Sequence, residues 1–283
     1  MNVTGILTGK AKLAGVIGWP VGHSRSPRLH GYWLQHYGID GAYLPLPVHP
    51  GDFETCLRAL PKLGFRGANV TVPHKEAALA LVDHVEPLAK RIGAANTIVV
   101  HEDGTLEGLN TDAFGFIENL RQGAPGFSAA QGPAVVLGAG GAARAVITAL
   151  QDDGCTDIRL LNRTTERAHE VAEALGGSIS VLPWDERDEV LVNASLLVNT
   201  TTLGMTGQPP LVVDLSMLPK DAVVTDIVYA PLETDLLAAA RLRGNRVVDG
   251  LGMLLHQARP GFAAWFGTMP EVTSELRAFV EGR

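Results

Sequence analysis

A short apolar stretch, Ala134-Val135-Val136-Leu137, runs without a break into Gly138-Ala139-Gly140-Gly141-Ala142-Ala143 and then into a helical run at 145–150. Few local patterns restrict a fold more. The spacing G-x-G-x-x-A asks for a strand, a tight turn and a helix in that order. The first glycine makes the turn, the second lets a pyrophosphate approach the backbone, and the small third residue lets helix pack on strand. Amide groups at the helix start then receive the anion. Glycine turns also arise for steric reasons alone, and it is the strand before and the helix after that point this one toward a dinucleotide.

The surrounding pattern agrees with such a unit. Strand-like runs at 13–17, 42–46, 68–72 and 97–100 alternate with amphipathic segments at 28–36, 52–60 and 76–82. After a polar, glycine-containing stretch at 121–132, a second series of strands follows at 134–137, 158–161, 196–198, 223–227 and 246–249. A helix at 112–120 leads out of the first series, and the tail from 250 onward has helical periodicity with no strand to feed. The reading is a two-domain α/β chain. Residues 1–112 with 250–283 form an N-terminal α/β domain to which the C-terminal helices return, and residues 113–249 form a Rossmann-like domain.

Composition narrows the partners. A net charge of -7 over 283 residues argues against nucleic acid or an anionic membrane as the main partner, and 46% hydrophobic content suits ordinary globular cores. A small molecule is expected, bound by a monomer or homodimer. Cys56 and Cys155 stand far apart and suggest neither a disulfide framework nor a metal site, and no compact ligand cluster appears among nine histidines. Met1 to Lys10 contains no long apolar core and no later run suits a bilayer span, so a cytoplasmic setting is expected.

The end of the next strand selects the nucleotide. NAD-specific sites usually carry an acid there for the ribose hydroxyl, whereas this chain has Asn162-Arg163-Thr164, with Arg167 one turn later. Two guanidinium groups with amide and hydroxyl donors suit the extra phosphate of NADP. A solvated arginine pair with Thr164 as a helix cap is the plainer alternative. A third strand end, 199–205, is placed beside the ribose or nicotinamide and includes Thr200.

Four polar clusters mark strand ends of the first domain, at 23–27, 71–75, 95–97 and 110–112. Ser24 and Ser26 can clamp a carboxylate with two uncharged donors if the loop between them is extended. A helix cap at Ser26 ahead of Pro27 is equally compatible. Lys75 stands at the start of a helix, where the dipole disfavours a cation, so a use for it is expected. Paired with Asp112 it suits the proton transfer that accompanies hydride reduction of a carbonyl, the other reading being a structural ion pair.

Eight blocks in order resemble the shikimate dehydrogenase family: His-Ser-Arg-Ser-Pro at 23–27, Asn-Val-Thr-Val-Pro-His-Lys at 69–75, Gly-Ala-Ala-Asn-Thr at 93–97, Asn-Thr-Asp at 110–112, Gly-Ala-Gly-Gly-Ala at 138–142, Asn-Arg-Thr at 162–164, Asp-Ile-Val-Tyr-Ala-Pro at 226–231 and Asp-Gly-Leu-Gly-Met-Leu at 249–254. The resemblance implies an NADP-dependent oxidoreductase acting on a CH–OH group, interconverting 3-dehydroshikimate and shikimate in chorismate and aromatic amino-acid biosynthesis. Ser24 and Ser26, with Tyr229, would hold the substrate carboxylate. Thr71, Asn96, Asp112 and Gln257 would bind ring hydroxyls around Lys75, and Lys75 with Asp112 would form the catalytic dyad. Gly138, Ala139, Gly140, Gly141 and Ala142 would take the pyrophosphate, and Asn162, Arg163, Thr164 and Arg167 the adenosine phosphate. Thr200, Ile227, Gly250 and Met253 would complete the cofactor site, the last two flanking the nicotinamide. A lead of about ten residues, Gly18-Trp19-Pro20-Val21-Gly22, and the threonine-rich 199–203 depart mildly from the family pattern. A quinate or dual quinate/shikimate dehydrogenase is the nearest alternative, and an inactive shikimate-sensing module a more distant one.

Overall fold

The computed structural model describes residues 6–282, so the first half of the N-terminal lead lies outside the described residues. The chain divides into two units, at Thr111/Asp112 and again at His256/Gln257.

The first unit runs β1 (Lys12–Gly18), α1 (Ser26–His36), β2 (Gly41–Pro47), α2 (Phe53–Ala59), β3 (Phe65–Val70), α3 (Lys75–Leu81), β4 (His84–Val85), α4 (Pro87–Ile92), β5 (Thr97–Val100) and β6 (Leu106–Leu109). Its six-stranded sheet has the order β2-β1-β3-β5-β6-β4. The β2-β1-β3 part is parallel, β5 runs antiparallel to both β3 and β6, and β4 returns parallel to β6. Ile17, Phe53, Leu57, Val70, Ile98 and Leu106 gather into a core cluster of this unit.

The second unit runs α5 (Asp112–Gly123), β7 (Ala134–Leu137), α6 (Gly141–Asp152), β8 (Ile158–Leu161), α7 (Thr165–Leu175), β9 (Ile179–Leu182), β10 (Leu196–Asn199), β11 (Val223–Asp226), α8 (Asp235–Arg243) and β12 (Arg246–Val248). Its sheet is wholly parallel, ordered β12-β11-β10-β7-β8-β9. The apolar strands of β7 and β10 are buried at every residue, as expected where helices cover both faces of a parallel sheet. Helix α9 (Leu251–Phe266) carries the second division point, and α10 (Ser274–Glu281) follows. The later half of α9 belongs to the first unit, where Trp265 Nε1 donates to the Ile98 carbonyl at 2.9 Å.

Three differences from the sequence reading have physical causes. Strand β3 stops at Val70, not at residue 72, because the chain bends once the Thr71 N–H has paired with the Ile17 carbonyl. His74 N–H then turns back to the Thr71 carbonyl at 2.9 Å, and Pro73 between them has no N–H to offer a ladder. Segment 52–60 splits into a 3-10 turn and α2. Strands β4 and β6 had no alternating apolar signature: the first spans two residues, and β6 carries Glu107 and Gly108 at its centre.

Candidate active site

Lys75 is the first residue of α3, and half-buried. Its backbone is held by its neighbours. His74 is 2% exposed, stacks on Phe53 with ring centroids 4.4 Å apart, and has its Nε2 2.9 Å from the Val48 carbonyl. The Lys75 carbonyl accepts the Ala95 N–H at 3.0 Å, which holds the strand start bearing Asn96 beside the lysine.

Asn96 is buried and heavily bonded. Its Oδ1 accepts the Thr111 N–H at 2.9 Å and the Thr97 hydroxyl at 3.0 Å, while its Nδ2 lies 3.5 Å from Gln257 Oε1. Gln257 Oε1 also faces the Thr111 hydroxyl at 3.4 Å. The first unit therefore links Asn96 to Gln257 directly and through Thr111, and to the Lys75 backbone through Ala95, with Thr71 half-buried at the end of β3. Asp112 opens α5 of the second unit and is 9% exposed.

The serine loop is not extended. Arg25, between the two serines, has φ -85° and ψ -6°, which is helical geometry. Ser26 is consequently inside α1 and does not cap it. Arg25 is the N-cap residue, without a side-chain cap bond, and Ser24 Oγ accepts the Ser26 N–H at 3.2 Å. Ser24 is half-buried and Ser26 6% exposed, and both hydroxyls stand at the start of α1, where the helix dipole favours an anion.

In the second unit, β7 delivers its glycine turn directly to α6. Gly138 has φ +108°, and a Cβ there would stand 2.6 Å from Thr200 Oγ1, so both backbone and space demand glycine. Around Gly140 and Gly141 nothing lies within 4 Å of an added Cβ, and no side chain caps α6. An open, donor-rich helix start of this kind fits a pyrophosphate. Ala139 and Ala142 flank it, both half-buried. Thr200 donates its hydroxyl to the Leu137 carbonyl at 2.7 Å, tying the end of β10 to the end of β7.

At the end of β8, Asn162 Nδ2 donates to the Thr164 carbonyl at 2.8 Å, closing the turn that presents Arg163. Thr164 is the N-cap residue of α7 by backbone geometry, without a side-chain cap bond. Arg163, Thr164 and Arg167 are all exposed, so their donors are available to a phosphate. Ile227 and Gly250 meet closely: a Cβ at Gly250 would run into the Ile227 carbonyl. Met253 sits in the first turn of α9, and Tyr229 on the segment after β11.

Sequence reasoning gave no role to Asp226, which is fully buried. Its carboxylate accepts from Asn199 Nδ2 at 3.0 Å, the Val228 N–H at 2.9 Å and the Thr234 hydroxyl at 2.8 Å. Burial pushes its carboxyl above the usual carboxylate range, and those three donors oppose the shift. It joins the loop after β10 to the segment bearing Ile227 and Tyr229. The block Asp-Ile-Val-Tyr-Ala-Pro contained it, but a strand-end aspartate gives no sign of which loops it will bridge.

Among the described residues no helix is long and apolar enough to cross a membrane, and no cluster of three or more metal-ligating side chains occurs. The substrate-binding-domain model of shikimate dehydrogenase matches residues 16–98, and the shikimate/quinate 5-dehydrogenase model matches residues 123–221. The chain is 66% identical over 274 residues to the shikimate dehydrogenase (NADP(+)) of Paramagnetospirillum magneticum, covering 97% of this chain and 99% of the relative. Among solved structures, the shikimate 5-dehydrogenase of Thermus thermophilus in complex with NADP(H) and shikimate is 38% identical, with a TM-score of 0.85 over 96% of this chain and 99% of that one. The quinate dehydrogenase of Corynebacterium glutamicum in complex with NAD is 33% identical, with a TM-score of 0.90 over the same shares.

Proposed function

Because the chain belongs to the shikimate dehydrogenase family, we propose that it catalyses the reversible NADPH-dependent reduction of 3-dehydroshikimate to shikimate, a step of chorismate and aromatic amino-acid biosynthesis. Residues 1–112 with 250–283 serve as the substrate-binding part and residues 113–249 as the NADP-binding part. The observation that supports the reading is the Ala95 N–H bond to the Lys75 carbonyl, which holds the backbone of the lysine against the strand start bearing the buried Asn96.

NADPH, when bound, supplies the hydride to the carbonyl carbon. As that carbon is reduced, its oxygen gains negative charge and takes a proton from the Lys75 ammonium. In the reverse direction the neutral amine removes the hydroxyl proton. Asp112 orients the amine and shares the proton's path. Ser24 and Ser26 bind the carboxylate with Tyr229, and Thr71, Asn96, Asp112 and Gln257 bind ring hydroxyls. Gly138, Ala139, Gly140, Gly141 and Ala142 hold the pyrophosphate. Asn162, Arg163, Thr164 and Arg167 hold the adenosine phosphate, and Thr200, Ile227, Gly250 and Met253 border the remainder of the cofactor. The enzyme acts in the cytoplasm as a monomer or homodimer.

Quinate with NAD is the reading that the Corynebacterium relative raises. Two exposed arginines where an NAD site carries an acid speak against it. Steady-state rates with shikimate and quinate, each with NADP and NAD, test the assignment. The highest kcat/KM is expected for shikimate with NADP, and a higher value for quinate with NAD would overturn it.

A further inference from the structure

Two residues of the sequence blocks, Asn69 and Thr97, have no part in the reaction above, yet both are buried and they face each other across the antiparallel pair β3 and β5. They belong to a chain of hydrogen bonds whose polarity is forced from both ends. The Asn96 backbone carbonyl can only accept, so Asn69 must turn Nδ2 toward it, at 3.2 Å. Asn69 Oδ1 then receives the Tyr43 hydroxyl at 2.6 Å. The other Nδ2 proton goes to Thr97 Oγ1 at 3.1 Å, and Thr97, having accepted there, donates its own proton to Asn96 Oδ1 at 3.0 Å. At the far end the Thr111 backbone N–H, which can only donate, reaches the same Oδ1 at 2.9 Å. The Thr111 hydroxyl lies 3.2 Å from the same Oδ1 and 3.3 Å from Thr97 Oγ1, so reversing the Asn96 amide would set the Thr111 N–H against its NH2 and take from Thr97 its nearest acceptor. That NH2 is therefore held on the opposite side, facing Gln257 Oε1.

The sheet supplies the geometry. Register pairs Tyr43 with Ala14 and Asn69 with Val16, alternate positions of β1 and so one face of the sheet, and the small Ala14 side chain leaves the phenol room to cross β1. His30 stacks flat on the phenol with centroids 3.9 Å apart, pinning it.

We propose that Tyr43, Asn69 and Thr97 are positioning residues that lock the Asn96 amide with its NH2 edge toward the bound ring, making Asn96 an obligate donor to a ring hydroxyl oxygen. The proposal rests on the reading of Asn96 as a substrate residue. Steady-state oxidation of shikimate by the full chain with NADP tests it through Thr97→Val, which keeps shape but removes the hydroxyl, and Thr97→Ser, which keeps the hydroxyl. Thr97→Val should raise the shikimate KM about three- to tenfold, with kcat and the NADP KM changed by less than about twofold. Thr97→Ser should keep the wild-type KM. In an Asn96→Ala background Thr97→Val should add nothing, since it acts through an amide already gone. An unchanged KM in folded Thr97→Val, failure of serine to rescue, or a multiplicative effect in the Asn96→Ala background would each overturn the proposal. Should Thr97→Val not fold, Tyr43→Phe removes one oxygen at the other end of the chain of bonds while keeping the ring, and is read by the same KM criterion. Wild-type protein that does not oxidise shikimate would instead remove the substrate reading on which the proposal rests. Turnover with silent variants sinks the positioning role alone.

Discussion

Lys75 is an awkward residue by local rules, a cation at the positive end of α3. Its place is kept by neighbours, through the His74 ring locked between Phe53 and Val48 and through the Ala95 bond. Lys75→Ala should lower kcat for shikimate oxidation by roughly 10²–10⁴-fold in folded protein, and Asp112→Asn should act in the same direction. Near wild-type turnover of either variant would refute the dyad. His30 makes the opposite kind of point, a titratable group used only for packing. It is fully buried among Trp33, Tyr43, Phe262 and Trp265, and neither ring nitrogen has a hydrogen-bond partner. Burial holds its pKa down to about 3 from 6.5, with the neighbouring Asn69 side chain opposing that shift. Between those values the unfolded chain binds a proton that the folded one refuses. The stability present above pH 6.5 should therefore fall as pH drops, by up to about 1.4 kcal/mol per pH unit for this one site. His30→Phe removes that term. Thermal melts from pH 7 down to about pH 4 should show a shallower decline for the variant, and parallel curves would show that His30 does not carry the dependence.

At the level of elements, the β7–turn–α6 unit was legible almost in full from its residues. Strand β7 has the bounds read from sequence, while the helix read at 145–150 already begins at Gly141 and runs to Asp152. Local chemistry decides such a unit, because the turn needs positive φ at Gly138, where an added Cβ would also meet Thr200. Gly138→Ala should cost roughly 2–4 kcal/mol, combining left-handed backbone strain with overpacking against Thr200. It should weaken NADP binding as well. An unaltered denaturation midpoint would mean that the turn relaxes freely. The serine loop was read less well. An extended segment and a helix cap at Ser26 were both open, and the structure has neither: Arg25 is helical and Ser24 spends an acceptor on the Ser26 N–H. More than one conformation was open to the same five residues, and the packing of α1 decided. Strands β4 and β6 were missed for a related reason: β4 has only two residues, and partners rather than alternation hold it in the sheet.

For the whole molecule, the first unit is discontinuous in sequence. Ala258, Phe262, Trp265, Phe266, Leu276 and Val280 come from the far end of the chain and are each at most 3% exposed. Fully burying a large apolar side chain contributes roughly 1.5–3 kcal/mol, so this group is comparable to the 5–15 kcal/mol that holds an entire domain. A chain ending at Asp249 should therefore lose the cooperative melting of the first unit. Circular dichroism would check this, and two-state melting of that unit at an undiminished temperature would sink the claim.

The residues alone determined the class of fold, the nucleotide turn, the expectation of NADP over NAD and the family resemblance, because each rests on short-range chemistry: apolar periodicity, glycine geometry and the charge at a strand end. The buried chain from Tyr43 through Asn69 and Thr97 to Asn96 was decided only by tertiary structure. Its members lie on three strands, β2, β3 and β5, and at the residue before β5, and nothing local marks Tyr43 as a partner of Asn69 26 positions away. Sheet register brings them within hydrogen-bond distance, and burial, which leaves no water to satisfy a reversed amide, then fixes which way the Asn69 and Asn96 amides face.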